Sequence, residues 1–96
     1  MNTKEAYQQK VEAELELTQI KIAELKAHAK LASADARVSY KEHIDDMEQK
    51  LATTKTKLKA FSEAGDEAWE ELKGGVDTAW KSFSASVEKA SDKFNT

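Results

Sequence analysis

Apolar or small side chains recur at Val11, Leu15, Thr18, Ile22, Leu25, Ala29, Ala32 and Ala36, in steps of 4, 3, 4, 3, 4, 3 and 4. That spacing is a heptad seam, the stripe a long helix offers to another helix. It continues through Tyr40, Ile44, Met47, Leu51, Thr54, Leu58 and Phe61. Two successive steps of four, Ala36 to Tyr40 to Ile44, make a stutter that locally unwinds a left-handed supercoil. No Pro or Gly interrupts Lys4 to Ala64, so the pattern predicts one helix over about residues 3–63. Such a rod is about 90 Å long at 1.5 Å per residue.

Gly65 is the first helix breaker, and Asp66 behind it is a good N-cap. Glu67, Glu70 and Glu71 then suit the positive end of a new helix. A turn is therefore predicted over about residues 62–66 and a second helix over about 67–94. This segment repeats itself: Ala68-Trp69 returns as Ala79-Trp80, and Ala90 opens a third copy. The period of eleven, or 3.67 residues per turn, favours straight or slightly right-handed packing. At 100° per residue Trp69, Leu72, Val76, Trp80, Phe83, Val87 and Phe94 fall within an arc of about 80°. Gly74-Gly75 interrupts the arc at a cost of roughly 1 kcal/mol per glycine relative to alanine. Two roles fit the pair: close approach of a bulky partner, or a deliberately labile helix.

The fold class is all-α, with residues 1–96 as a single helical domain. A long amphipathic helix and a shorter antiparallel one form a helical hairpin or coiled coil that completes its core by oligomerising. The alternative is a three-helix bundle with a further turn near Ser33-Ala34-Asp35, because three segments of about thirty residues fit the length. The expected interface comprises Val11, Leu15, Ile22, Leu25, Tyr40, Ile44, Met47, Leu51, Leu58 and Phe61, with the seven residues of the C-terminal arc. Leu17, Ile20, Leu31 and Val38 lie off the seam. They read either as scattered surface apolars or as a second buried face touching another neighbour.

Composition narrows the class further. Charged residues make up 34% and aromatic residues 7% of the chain, and mean hydropathy is −0.72. That balance suits helices in coiled coils better than a sheet protein. The net charge of −3 lies wholly in the C-terminal third, where Lys73, Lys81, Lys89 and Lys93 face seven acids from Asp66 onward. No basic stripe interleaved with aromatics offers a footprint for nucleic acid. The absence of cysteine excludes a disulfide framework and thiolate metal sites. No apolar run approaches the roughly 20 residues of a membrane span. Met1-Asn2-Thr3-Lys4-Glu5 lacks the apolar stretch of a signal peptide, so a soluble, cytoplasmic chain is expected.

Candidate chemistry is sparse. There is no cysteine nucleophile, no serine in a nucleophile-elbow context and no glycine-rich phosphate loop. His28 and His43 are the only histidines, and neither sits in the Glu-x-x-His spacing of a di-iron bundle. They read as solvated surface residues, with no cofactor expected. The carboxylates read as a solvated face supported by i, i+4 pairs such as Asp46–Lys50 and Asp77–Lys81. Trp69 and Trp80 read as core anchors of a helix–helix contact. Read instead as membrane-surface residues, they would seat an amphipathic helix in a lipid interface, against which stands the segment's net negative charge.

Three stretches carry a resemblance: Lys4-Glu5-Ala6-Tyr7, the Ala-rich middle around Ala34-Asp35-Ala36 with Tyr40, and Ala64-Gly65-Asp66 through Ala68-Trp69 to Gly75-Val76-Asp77 and Ala79-Trp80. Over nearly its whole length the chain resembles small bacterial coiled-coil proteins described as hypothetical or stress-response-associated. The tandem tryptophan segment is the most specific part. The eleven-residue repeat is, more loosely, similar to those of desiccation-associated and lipid-surface helical proteins. The resemblance implies a non-catalytic helical protein. The expected partner is the chain itself, two to four copies, with another helical protein or a lipid surface as the alternative.

Overall fold

Three helices and no strand are formed among the described residues, which in this computed structural model are 2–65 and 67–94. Helix α1 spans Thr3–Leu31, α2 Ala34–Glu63 and α3 Trp69–Phe94. Asn2 caps α1, its Oδ1 accepting the Glu5 backbone N–H at 2.8 Å. The N-cap expected at Asp66 lies outside the described residues.

The heptad pattern runs one helix over residues 3–63, and the structure corrects this: the chain breaks at Ala32-Ser33, beside the turn that the three-helix alternative places near Ser33-Ala34-Asp35. The break needs neither glycine nor proline. Ala32 and Ser33 take extended backbone conformations, and the Ser33 hydroxyl oxygen accepts the Ala36 N–H as the N-cap of α2. Arg37 then reaches back across the corner. Its guanidinium donates to the Ala32 carbonyl at 3.1 Å and the Lys30 carbonyl at 2.8 Å. These are carbonyls the end of α1 would otherwise leave without helical partners. A straight rod would gain little here, since Ala29, Ala32 and Ala36 offer little apolar area to bury.

The three helices share one core. Val11, Leu15, Ile22 and Leu25 enter it from α1, Ile44, Met47, Leu58 and Phe61 from α2, and Val76, Phe83, Val87 and Ala90 from α3. The ends fix the directions. Tyr7, Phe61 and Trp69 cluster at one end, with ring centroids 5.1 Å and 5.9 Å apart in sequence of contact. Tyr40 stacks on Phe94 at 3.8 Å towards the other. Helix α2 therefore runs antiparallel to both neighbours, and its widest contact is with α3. The overall extents are 51 × 20 × 17 Å, far short of the rod. Thr54 occupies a fully buried seam position because its hydroxyl donates to the Lys50 carbonyl at 2.8 Å, leaving no unpaired polar group.

Candidate interaction surface

The seam residues are consumed inside the chain. Of the seventeen expected interface positions, Leu72 alone is classed as exposed; the rest are buried or half-buried, and all sixteen belong to or pack against the shared core. Trp69 and Trp80 are half-buried, edge-on to Phe61 and Phe83 respectively, each at 5.9 Å. Of the five large apolar side chains exposed among the described residues, three lie on the outer side of α1.

There Leu17 is 65% exposed, Ile20 56% and Leu31 87%. At 100° per residue they lie on the side of α1 opposite Val11, Leu15, Ile22 and Leu25. The same stripe takes in Ala6, Ala13 and Ala27, all exposed. Lys10 and Glu24, also exposed, fill its two remaining positions. The steps from Ala6 to Leu31 are again 4, 3, 4, 3, 4, 3 and 4, so α1 carries a second heptad seam. Reading Leu17, Ile20, Leu31 and Val38 as one face needs a correction. Val38 is 62% exposed but belongs to α2, past the corner, on the side away from Met47. The break at Ala32-Ser33 removes the helical phase that linked it to Leu31.

The polar contacts hold helices together. The Tyr7 hydroxyl donates to Asp77 Oδ1, tying α1 to α3. Burial, and then this carboxylate, push the Tyr7 phenol well above its ordinary pKa. Lys4 Nζ donates to the Ala64 carbonyl at 2.5 Å, at the end of α2. Lys26 pairs with Glu48 between α1 and α2.

A groove between α2 and α3 gathers Glu42, His43, Asp46, Lys50, Ser86 and Lys89. Its geometry is that of a structural link. The Ser86 hydroxyl donates to Asp46 Oδ2 at 2.6 Å, and Lys50 pairs with the same oxygen at 3.1 Å. Ser86 and then Lys50 hold the Asp46 carboxyl below its usual range, which makes it a poor proton acceptor. His43 packs edge-on to Phe94 at 5.4 Å, and His28 is exposed on α1. Among the described residues no three His, Asp or Glu side chains gather as metal ligands would. No helix among them is long and apolar enough to cross a membrane. No family model, curated protein or solved structure matches the chain.

Proposed function

We propose that this chain is a non-catalytic, cytoplasmic interaction protein, associated with the stress response, that assembles with itself through the outer seam of α1. The observation that carries the reading is the exposure of Leu17, Ile20 and Leu31 along one stripe of a helix whose other face is already buried. Large apolar side chains aligned this way on a small domain mark a contact surface. The bundle supplies its own core, so assembly needs only this additional face. Sedimentation or light scattering across a concentration series tests the proposal. A mass rising above 10.7 kDa supports it. A mass fixed at 10.7 kDa at all concentrations overturns it.

A second reading places the chain on a lipid surface through α3. Its support is the partial exposure of Trp69, Trp80 and Leu72 along the most amphipathic helix. Sedimentation with zwitterionic and anionic vesicles separates the two. Loss of the protein to the vesicle pellet favours the lipid reading.

A further inference from the structure

We propose that two copies pair antiparallel along α1, with Leu17 of each packed against Ile20 of the other. The inference rests on the reading of the outer seam as a self-association surface, and adds its orientation and register. The steps 4, 3, 4, 3, 4, 3, 4 read the same in both directions. A two-fold axis across α1, midway between Leu17 and Ile20, therefore sets every seam position opposite another seam position. A self-complementary interface of this kind is what a closed two-fold dimer requires.

The residue types agree with that register. The centre brings together the large side chains of Leu17 and Ile20. At the ends Ala6 meets the second copy's Leu31, a small residue against a large one. Lys10 falls opposite Ala27, and Ala13 opposite Glu24, so each charged side chain has an alanine across from it and room to turn. These two layers are neighbours, about 4.5 Å apart along the axis. Lys10 of one copy thus reaches Glu24 of the other, and symmetry makes the ion pair twice.

Charge selects this arrangement over the parallel one. In a parallel, in-register pair Lys10 meets Lys10 and Glu24 meets Glu24, both repulsive at seam positions. Among the described residues Lys10 pairs only with Glu14, at 4.0 Å, and Glu24 forms no ion pair. Both are free to turn to a partner. One helix face with three large apolar residues is small beside a standard interface, so the dimer is expected in the micromolar range.

The natural lack of cysteine makes the test direct. Chains carrying Ala6→Cys and chains carrying Leu31→Cys are oxidised in air separately and as a mixture. The antiparallel dimer gives a disulfide-linked species only in the mixture, because like positions stand about 37 Å apart along the axis. Cross-linking of Ala6→Cys with itself overturns the orientation while leaving self-association standing. No cross-link in any sample, with a monomeric mass, overturns both. A parallel measurement uses charge alone. Lys10→Glu and Glu24→Lys each weaken dimerisation roughly fivefold, and the double exchange restores it. Failure of the double exchange to restore it overturns the proposed pairing.

Discussion

The Tyr7 hydroxyl donates its proton to the Asp77 carboxylate, joining the first turns of α1 to α3 across seventy residues of sequence. Tyr7→Phe keeps the ring on Phe61 and removes only this bond. Stability measured by urea unfolding is expected to fall by about 1 kcal/mol. The pH dependence follows from the raised phenol pKa in the fold. Its contribution is complete below the unfolded value of about 10 and is lost as pH rises through the folded one. The stability gap between the natural chain and Tyr7→Phe therefore narrows above about pH 10. A constant gap would exclude the bond as its source.

The corner between α1 and α2 rests on two side chains. Ser33→Ala removes the cap, and Arg37→Ala releases the Lys30 and Ala32 carbonyls. Each is expected to cost about 1 kcal/mol, a fall of about 4–8 °C in Tm for a domain this size. Circular dichroism melts decide it, and unchanged midpoints would show that burial alone holds the corner.

Gly74 and Gly75 are ordinary helical positions. A methyl group at Gly74 meets nothing within 4 Å, and at Gly75 only the Lys57 side chain at 3.9 Å. Close approach of a neighbour within this chain does not explain them, so the two roles that stand are lability of α3 and close approach of another molecule. Gly74→Ala and Gly75→Ala should each raise stability, by up to about 1 kcal/mol, and slow amide exchange in the first turns of α3. Destabilisation by either would point to a contact made with another molecule.

Trp69 and Trp80 are half-buried, so truncation should cost less than the roughly 3–5 kcal/mol of a fully buried tryptophan. About 2 kcal/mol for each is expected, with tryptophan emission in buffer blue-shifted from that of the unfolded chain. Neutral substitutions, together with emission that shifts only on adding vesicles, would favour the lipid reading.

Helix content and the seam were legible because periodicity depends only on local sequence. Val11 to Leu25 and Ile44 to Phe61 are the residues that meet in the core. The corner was legible only as the alternative turn near Ser33-Ala34-Asp35, because its signal is a serine cap and a distant arginine, in a stretch where alanine suits helix and break alike. The outer stripe showed only its large members, Leu17, Ile20 and Leu31. Lys10 and Glu24 mask its continuity, and Val38 falls in phase with it only on a single rod running through α1 and α2. Of the two i, i+4 pairs, Asp46–Lys50 is formed. Asp77, expected to face Lys81, takes the Tyr7 hydroxyl, a partner no local pattern indicates.

The two-residue corner also sets how the chain reaches its fold. Each helix packs against the next in sequence through a short connection, so closing either turn costs little chain entropy. Contacts of such short range place three-helix proteins among the fastest folders, in microseconds to milliseconds. With no proline to isomerise and no disulfide to re-form, neither of the usual slow steps arises. A chain of this design is expected to refold unaided once denaturant is removed, in a single fast phase.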